Sequence, residues 1–340
     1  MKRIAILTDR YPPSWGGGVC AAHYHLARLL KQQGHAVRVF AVLDPLTGSE
    51  DVVRRHLGPG YLRALRRLNS FIFRLVEPGA VAYQLLDIAQ RAVGTLGLRC
   101  AFQKFAPDVT ILPDHGAPGL WLSKPRLGRF VLIAHHNPTR FVDFPNIACF
   151  SRRDIALAMG LEDLVLRKID QVICPSEYMQ RVFLTTHGYQ GPVAVVPNMI
   201  DSAFLADVPI CDPRNLIGLQ PSDPLIYLPA GGNRFKGSGY LLALAEALAA
   251  LPVRVGLFVS GHVPQGLLKC ARNFLPVFAP GVQNGEQVVA HVKACNFGIY
   301  PTLVENYSMA LLEAAMCGVP MLTFDVGGNR EIVSDGINGY

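Results

Sequence analysis

Short apolar runs alternate with amphipathic segments along the first half of the chain. The first run, residues 4–7, predicts a buried strand, and a Pro/Gly loop from Tyr11 to Gly18 follows it. Apolar residues then recur with the period of a helix, at Ala22, Leu26, Leu29 and Leu30. Gly34 ends this helix, and residues 37–43 predict a second strand. The chain therefore opens as a βαβ unit with a glycine-rich first crossover, the plan of a nucleotide-binding α/β domain.

Further apolar runs predict more strands in this half. They are residues 109–112, 130–134, 172–174 and 193–196. The second of these runs leads directly into His135-His136-Asn137-Pro138. Because polar residues at the carboxyl end of a parallel strand face the crevice where ligands bind, we expect a site at this histidine pair.

Residues 51–75 predict an amphipathic helix with a basic side. Its apolar face comprises Tyr61, Leu65, Leu68, Ile72 and Leu75. Its opposite face carries Arg63, Arg67 and Arg74, with Arg54, Arg55 and Arg66 adding to the charge. A basic amphipathic helix can lie on an anionic membrane or hold an anionic acceptor. A solvated outer helix of the domain is the alternative.

A second series of strands and helices follows a proline-containing segment. Residues 202–223 carry three prolines among Asp and Ser and predict a linker. Strands are predicted at residues 225–228, 253–259, 275–278, 297–300 and 321–324, and a helix from Ser238. The predicted fold class is α/β, with two Rossmann-like doubly wound domains, residues 1–201 and 224–340, facing a cleft between their strand ends.

The stretch from Glu305 to Pro320 carries the clearest candidate chemistry. Two carboxylates eight residues apart bracket a run of helix formers, and Gly-Val-Pro closes it. Ser308 can cap this helix, so the amides near residues 306–309 are suited to phosphate. On a helix, Glu313 would lie about 12 Å beyond Glu305 and on roughly the same face, so each acid could hold one end of an extended ligand. An ordinary amphipathic helix with two solvated acids is the alternative.

Composition and charge limit the classes of molecule that the protein can bind, but they do not identify one. The chain has 340 residues, half of them apolar, which is enough for two domains with full cores. Its net charge of +7 fits an anionic ligand, an acidic membrane surface or nucleic acid. The Lys/Arg excess is concentrated between Arg54 and Arg74, and the aromatic-and-basic interleaving of RNA-binding modules is absent. We therefore expect no nucleic-acid partner.

The cysteines and the N-terminal residues indicate the cellular compartment in which we expect the protein. The eight cysteines show no Cys-x-x-Cys pair and no His at metal-ligand spacing, so we expect reduced core thiols and no metal site. Residues 4–7 are too short an apolar stretch for a signal peptide, and no apolar run approaches the length of a membrane span. We expect a cytoplasmic protein that meets a membrane only at its surface.

The first crossover does not fit a dinucleotide-binding dehydrogenase. Asp44 follows the second strand about where an acid would meet a ribose. The glycines, however, form Gly16-Gly17-Gly18-Val19-Cys20-Ala21, which is not G-x-G-x-x-G, and two prolines and a Trp precede them. A tight turn explains a lone glycine loop after a strand equally well.

Short motifs occur in a fixed order over nearly the whole chain. They are Pro-Pro-x-x-Gly-Gly near the start, Gly34-His35-x-Val37, a strand ending in His, Pro175-Ser176, Val196-Pro197-Asn198-x-x-Asp201, Lys236-Gly237, Glu-x7-Glu, Cys317-Gly318-x-Pro320 and Gly327-Gly328-x-x-Glu331. Together they resemble the retaining GT-B glycosyltransferases, in particular family 4 of nucleotide-sugar-dependent enzymes, the glycosyl transferases group 1 type. The resemblance implies an acceptor-binding first domain and a nucleotide-sugar-binding second domain. It also implies another strand and helices beyond Tyr340.

The resemblance implies roles for residues of the second domain. Glu305 matches the acid that contacts hydroxyls of the donor sugar, and Glu313 the acid that accepts hydrogen bonds from the ribose hydroxyls. Lys236 matches the lysine that meets the diphosphate. The amides of Asn306, Tyr307 and Ser308 would bind the same group from the other side.

Two further matches lie in the first domain, and one position departs from the family. His136, rather than His135, matches the family histidine near the donor sugar. Gly17 and Gly18 match a loop that lets the backbone approach the reacting centre. The family has an Arg five residues before the lysine, where this chain has Gly231. Arg234 is close enough in sequence to replace that Arg as a donor-binding residue.

The implied reaction transfers a sugar from a nucleoside diphosphate sugar to an acceptor hydroxyl, with retention of the anomeric configuration. Lys236, Arg234 and helix N-terminal amides would stabilise the growing charge on the leaving diphosphate. The chain contains no Asp-x-Asp, so we expect no metal and no cofactor other than the co-substrate. A glycan or lipid-linked acceptor in bacterial envelope polysaccharide or lipopolysaccharide synthesis fits the basic helix.

Two other functions share this architecture. One is a sugar-nucleotide 2-epimerase, which product analysis would separate from a hexosyltransferase-like enzyme. The other is a sugar-nucleotide-binding protein without turnover, which the missing Arg and the end of the chain at Tyr340 would favour.

Overall fold

The chain folds into two compact units, Met1–Met199 and Ile200–Tyr340. The computed structural model describes residues 1–14, 17–46, 48–139, 142, 144, 147–229 and 231–340. Each unit is built around one sheet whose strand pairs are all parallel within those residues. The predicted α/β class with two Rossmann-like domains is therefore confirmed.

The first unit contains a seven-stranded sheet in the part of the chain that is described. Its strands are β1 (Arg3–Thr8), β2 (Ala36–Ala41), β3 (Val52–Arg54), β4 (Val109–Pro113), β5 (Arg129–Ile133), β6 (Gln171–Cys174) and β7 (Val193–Val195). Its α-helices are α1 (Gly18–Gln32), α2 (Pro59–Val76), α3 (Gln84–Phe105), α4 (Arg152–Leu166) and α5 (Glu177–His187). Residues 4–7 of β1 are all buried, which explains why this run is apolar without alternation.

The second unit contains a five-stranded sheet, counted over the residues given above. Its strands are β8 (Leu225–Leu228), β9 (Gly256–Val259), β10 (Val277–Phe278), β11 (Phe297–Tyr300) and β12 (Met321–Thr323). Its α-helices are α6 (Ser202–Asp207), α7 (Leu241–Ala249), α8 (Gln265–Arg272), α9 (Gly285–Val292) and α10 (Met309–Met316). The helix predicted from Ser238 begins at Leu241, after a 3₁₀ turn over Ser238–Tyr240, and α7 buries Leu241, Ala245 and Leu248 on one face.

The strand orders place a topological switch point in each sheet. The first sheet has the order β3-β2-β1-β4-β5-β6-β7, and the second has the order β10-β9-β8-β11-β12. The order reverses between β1 and β4 in the first sheet, and between β8 and β11 in the second. Ligands of doubly wound sheets bind outside the carboxyl ends of the strands at this point.

The single helix predicted over residues 51–75 is wrong at its start. Val52–Arg54 forms β3, which pairs with β2 in the register Val39↔Val52. The Arg54 guanidinium is buried and paired with the Asp44 carboxylate, so it does not belong to a solvated basic face. Two adjacent β-branched residues favour a strand, and Pro59 in the first turn favours a helix start at that point.

Residues 202–223, for which the prolines predict a linker, lie within the second unit. This segment begins with α6, and Asp201 caps that helix by accepting a hydrogen bond from the Phe204 amide at 3.3 Å. The buried Arg214 side chain pairs with Asp212 at 2.8 Å and donates to Asn296 Oδ1 at 2.7 Å. Proline content alone does not reveal the contact between Arg214 and Asn296, because 82 positions separate these residues.

All eight cysteines are free, but the expectation that they lie in the core is only partly met. Cys20, Cys174 and Cys295 are buried, and Cys317 is partly buried. Cys100, Cys149, Cys211 and Cys270 are exposed.

No helix in the described ranges is both long enough and apolar enough to cross a membrane.

Candidate active site

The loops that follow β8 and β11 lie side by side at the switch point of the second sheet, because these two strands are hydrogen-bonded neighbours. The loop after β8 contains a 3₁₀ turn, Arg234–Lys236. The amides of Leu303 and Val304, in the loop after β11, donate to the Phe235 carbonyl at 2.9 and 3.3 Å. The two loops are therefore joined by backbone hydrogen bonds.

Lys236 and Glu305 form an ion pair across these loops. Lys236 Nζ lies 2.6 Å from Glu305 Oε2 and donates to the Val304 carbonyl at 3.0 Å. The Tyr300 hydroxyl donates to the same Oε2 at 3.0 Å, and the Asn306 amide donates to Oε1 at 3.1 Å. Burial, together with the Glu305 carboxylate, raises the pKa of the Tyr300 phenol well above its usual value, so it remains a donor. Three donors therefore hold the Glu305 carboxylate.

Glycines allow the loops around this pair to approach closely. Gly237 has φ +88°, and a Cβ there would lie 2.1 Å from the Pro301 carbonyl oxygen. Gly327 has φ +61°, and its Cβ would lie 1.8 Å from the Glu305 carbonyl oxygen. The amide of Gly328 donates to the Asn306 carbonyl at 3.1 Å. The Gly327-Gly328 turn, which follows β12, therefore packs against the backbone of Glu305 and Asn306.

Gly231, where the resemblance implies an Arg, is also tightly packed. A Cβ at this position would lie 2.2 Å from Val259 Cγ1, and a Cβ at Gly232 would lie 1.7 Å from the His262 carbonyl oxygen. No side chain fits there without movement of β9 or of the loop that follows it. Arg234, in the neighbouring turn, is exposed.

The predicted order of loop, helix, turn and strand from Glu305 onward is confirmed. Ser308 Oγ accepts a hydrogen bond from the Leu311 amide at 3.3 Å and caps α10. Because α10 begins at Met309, Glu305 is not part of the helix, and the spacing expected from the helical rise does not apply. The amide of Asn306 is bound to the Glu305 carboxylate, so it is engaged within the loop. Tyr307 is partly buried beside it.

Glu313 lies on α10 in different surroundings from Glu305. It is partly buried, and its carboxylate accepts no hydrogen bond from any residue in the described ranges. Burial raises the pKa of Glu313 to about 7. An unpaired carboxylate in such surroundings can bind a ligand that brings its own hydroxyl donors.

In the first unit, His136 is held from two sides at the end of β5. Its amide donates to Asp114 Oδ2 at 2.8 Å, and its ring Nε2 lies 3.2 Å from Gln84 Oε1. The ring also lies against that of His115, with centroids 4.5 Å apart. Burial, opposed by hydrogen bonds from backbone amides, raises the pKa of Asp114 to about 7. Sequence reasoning missed Asp114, although it follows β4 as the histidines follow β5.

A second group missed by sequence reasoning lies at the switch point of the first sheet. Arg91, on α3, is buried and donates from Nε to Asp9 Oδ1 at 2.9 Å. Its Nη1 lies 3.6 Å from Asp87 Oδ1, and Asp87 Oδ2 lies 3.1 Å from His115 Nε2. No signal in the sequence marks Arg91, because a single Arg within a helix looks like a solvated residue.

Gly17 and Gly18 begin α1, which follows the first crossover loop. Gly17 is the N-terminal cap of the helix, with φ +92°, a conformation that favours glycine. Its carbonyl accepts a hydrogen bond from the Ala21 amide at 3.1 Å. Gly16, which belongs to the same motif, lies outside the described residues. The predicted site residues thus form two groups, one in each unit.

Metal-ligand geometry is not found in the part of the chain that the structure describes, where no group of three or more His, Cys, Asp or Glu could hold a metal ion. The candidate residues form two separate groups. The second unit contains the Lys236–Glu305 ion pair, the capped helix α10 and the Glu313 carboxylate, which has no hydrogen-bond donor among the described residues, and the first unit contains the hydrogen-bonded His136.

Comparison with known proteins shows the family to which this chain belongs. The Glycosyltransferase Family 4 profile matches residues 16–204, and the Glycosyl transferases group 1 profile matches residues 233–340. The alpha-maltose-1-phosphate synthase of Mycobacterium tuberculosis is 22% identical over 374 aligned residues, which cover 99% of this chain and 83% of the relative.

Two solved structures share the fold. Sucrose-phosphate synthase from Thermosynechococcus elongatus superposes with a TM-score of 0.71 at 18% identity, covering 100% of this chain and 85% of that one. HepE from Anabaena, solved in complex with UDP-glucose, superposes with a TM-score of 0.61 at 17% identity and the same coverage of 100% and 85%. The chain therefore belongs to glycosyltransferase family 4, carries a second half of the glycosyl transferases group 1 type, and has the GT-B fold.

Proposed function

We propose that the protein transfers a sugar from a nucleoside diphosphate sugar to an acceptor hydroxyl, with retention of the anomeric configuration. The observation that carries this proposal is the Lys236–Glu305 ion pair at the switch point of the second sheet, next to the capped N-terminus of α10. The fold shared with HepE, which binds UDP-glucose, supports a nucleotide sugar as the donor.

Lys236 would stabilise the charge that grows on the leaving diphosphate. A lysine ammonium has three N–H donors, and Val304 and Glu305 accept two of them. The third can bind a phosphate oxygen without breaking the ion pair. The amides of Tyr307 and Ser308, the dipole of α10 and the exposed Arg234 side chain would add to this stabilisation.

The two carboxylates would bind the two ends of the donor. An ionised carboxylate offers about four acceptor positions, and Lys236, Tyr300 and Asn306 use three of those on Glu305. The remaining position can accept a hydroxyl of the donor sugar. Glu313, which has no donor among the described residues, would accept hydrogen bonds from the ribose hydroxyls.

His136, Gly17 and Gly18 would act near the donor sugar. Asp114 holds the backbone amide of His136, and Gln84 holds its ring at Nε2. The positive φ of Gly17 shapes the backbone at the start of α1. We assign no general base, since a departing phosphate can take the acceptor proton. We also propose that no metal or other cofactor takes part, because Lys236 and helix amides can supply the positive charge that a cation otherwise gives.

The acceptor and the cellular setting are part of the same proposal. We propose that residues 1–201 bind the acceptor and residues 224–340 the donor. The acceptor would be a glycan or lipid-linked glycan in bacterial envelope polysaccharide or lipopolysaccharide synthesis. The protein would act in the cytoplasm, in peripheral contact with the inner face of the membrane through residues 54–75. The cluster of exposed arginines in that range, which leaves out the buried Arg54, supports contact with an anionic surface.

The test is a thermal-shift screen of the purified chain against nucleoside diphosphates and their sugars, with Mg²⁺ and with EDTA. Binding to the folded state raises Tm, so one nucleotide should raise it regardless of metal. The rise should shrink in Lys236→Ala and Glu313→Ala. It should persist in Lys269→Ala, a control at an exposed lysine of the same unit. The absence of any shift from a well-folded sample would contradict the proposal.

The products distinguish the other functions. Retaining transfer should give a glycoside with the anomeric configuration of the donor, which NMR reports through the anomeric coupling constant. A 2-epimerised nucleotide sugar formed without acceptor would instead indicate an epimerase. A thermal shift without any product, over a panel of acceptors, would indicate binding without turnover.

A further inference from the structure

Helix α2 contacts the first unit through one edge only. Of its 18 residues Phe73 alone is buried, and the neighbouring Asn69 Nδ2 donates to the Ala82 carbonyl at 2.8 Å. Most other apolar side chains of the helix are exposed to solvent. They are Tyr61 at 41%, Leu68 at 56%, Phe71 at 62%, Ile72 at 43%, Leu75 at 70% and Val76 at 41% exposure. The apolar face of this amphipathic helix therefore points away from the protein core.

A groove of about 460 Å³ runs beside this face, between α2, the start of α3 and α4. Its lining is mainly apolar, with Leu65 and Ile72 from α2, Leu85 and Ala89 from α3, and Leu157 from α4; Asn69 and Arg153 are its polar residues. Leu157 is itself 58% exposed. An open groove with this lining fits a flexible hydrocarbon chain, which needs no hydrogen-bond partner.

Positive charge surrounds the apolar face and the groove. Helix α2 contains four arginines and no acidic residue, and Arg153 lines the groove itself. Glu77, directly after α2, accepts hydrogen bonds from the Ser151 hydroxyl and the Arg152 amide at the start of α4. Its carboxylate also interacts electrostatically with Arg153, so the excess of positive charge on this surface comes from the arginines of α2. A partner of this surface must combine hydrocarbon with negative charge.

We propose that α2 lies in the surface of a bilayer and that the groove holds an acyl chain of an anionic phospholipid. Arginine side chains can bury their stems beside hydrocarbon while the guanidinium stays at the level of the phosphates. The lipid phosphate would contact Arg153 at the groove. This inference rests on the membrane contact proposed above, and it adds the lipid class and the place where the chain binds.

The test is co-sedimentation of the full chain with vesicles of phosphatidylglycerol and phosphatidylcholine, compared with vesicles of phosphatidylcholine alone. We expect binding to the anionic vesicles that weakens as salt is added. Leu75→Gln should weaken this binding about tenfold, because a fully buried leucine is lost from the bilayer. Arg67→Gln combined with Arg74→Gln should weaken it by a similar factor.

Matched controls lie in the same unit. Leu127 and Arg126 are both exposed, so Leu127→Gln and Arg126→Gln make the same chemical changes on another surface. They should bind vesicles like the unchanged protein. All substituted positions on α2 are exposed, so each variant should keep the Tm of the unchanged chain.

Two substitutions in the groove test whether it holds an acyl chain. Ala89→Phe places a ring in the groove, and Leu157→Gln makes its wall polar; both should weaken binding to anionic vesicles severalfold at unchanged charge. Vesicle binding that is equal in both variants and the unchanged protein would overturn the groove assignment and leave the membrane contact standing. No binding to anionic vesicles, or a dimer in solution that Leu75→Gln dissociates, would overturn both. Nucleotide-sugar binding needs no vesicles, so its outcome is independent of these results.

Discussion

Glu305 and Glu313 are eight residues apart in sequence, yet their carboxylates have opposite surroundings. Glu305 accepts hydrogen bonds from three donors, whereas Glu313 has none among the residues described and a pKa raised to about 7 by burial. An ionised carboxylate accepts hydrogen bonds from the two ribose hydroxyls more strongly than a protonated carboxyl group, because the acceptor carries the charge. The proposed donor site therefore contains a group that titrates near neutral pH.

This difference predicts how donor affinity depends on pH. Below the pKa of Glu313 the carboxyl is protonated, so affinity for the nucleotide sugar should rise as pH increases from about 6 to about 8. Calorimetric Kd values across that range would measure the rise, because the diphosphate of a nucleotide sugar keeps a constant charge. Glu313→Gln keeps the shape but cannot ionise, so its affinity should be low and independent of pH. The same pH profile in both proteins would exclude Glu313 as the titrating group.

Tyr300→Phe tests the support of the ion pair. The change removes one of the three hydrogen bonds to the Glu305 carboxylate. It should weaken binding of the nucleotide sugar about three- to tenfold, the effect of a typical hydrogen bond. Tyr189→Phe is the control, because this partly buried tyrosine belongs to the first unit and packs against Phe183. Urea unfolding of both variants would report how much stability each change costs. Equal loss of affinity in the two would show that Tyr300 acts only through stability.

Short motifs predicted individual candidate residues, but not the contacts between them. Lys236 and Glu305 stand in recognisable motifs, but 69 positions separate them, and no local pattern shows that they pair. Asp114 could have been predicted, because it follows β4 as the histidines follow β5, and polar residues at the carboxyl ends of parallel strands face the crevice where ligands bind. Arg91 could not, since its burial depends on Asp9 and Asp87, which come from other elements or other helical turns.

Among the elements, the loops of the second unit depend on glycines for two separable reasons. Gly327 needs glycine both for its φ of +61° and because the Glu305 carbonyl oxygen would lie 1.8 Å from a Cβ. Gly281 has φ +87° but nothing within 4 Å of a Cβ. The two positions therefore separate backbone strain from steric contact.

We expect Gly281→Ala to cost about 1 kcal/mol of unfolding free energy, the penalty of a left-handed conformation. Gly327→Ala should cost at least about 2 kcal/mol more, because the loop must move away from Glu305, and it should also weaken donor binding. Urea unfolding and calorimetry with the nucleotide sugar would measure both effects. Equal losses in the two variants would mean that the contact with Glu305 is easily relieved.

Long elements with a strong period were predictable, and short ones were not. The apolar runs located β1, β4 and β8 to within a residue or two, because fully buried parallel strands are continuously apolar. The period of the apolar residues also predicted α2, although it placed the start of the helix before Pro59. Strand β3 has three residues, too few for any period to identify it.

At the scale of the whole molecule, buried histidines make stability depend on pH. His23 is fully buried, neither ring nitrogen has a hydrogen-bond partner among the described residues, and burial lowers its pKa to about 4. The ordinary value in an unfolded chain is about 6.5. Between these values the unfolded chain binds the extra proton, so stability should fall as pH falls from about 6.5 to about 4. Asp114 and Glu313, with raised pKa values, act in the opposite direction.

His23→Leu isolates this contribution. At pH 7.5 the variant should be as stable as the unchanged chain or slightly more so, because an unpaired polar ring is replaced by an apolar side chain. At pH 5 it should be more stable by about 2 kcal/mol, since 1.5 pKa units of differential protonation are removed. Urea unfolding at the two pH values provides the measurement. A difference between the proteins that does not change with pH would exclude His23 as the titrating residue.

The alternation of strands and helices was sufficient to predict two doubly wound sheets, but not the order of their strands. That order decides which loops meet at the switch point, and hence why Lys236, after β8, lies beside Glu305, after β11. Strand order depends on long-range pairing, for which residue patterns along a single chain carry little information.

The ion pair between Lys236 and Glu305 also has a consequence for turnover. A lysine whose charge is already shared with a carboxylate holds a departing nucleoside diphosphate less tightly than an unpaired lysine would. The pair should therefore limit product inhibition and speed release of the spent nucleotide. Glu305→Gln removes the competing charge, so the inhibition constant of the nucleoside diphosphate should fall severalfold while sugar transfer is lost. Calorimetric titration with the diphosphate alone would measure this tightening, and unchanged affinity would contradict it.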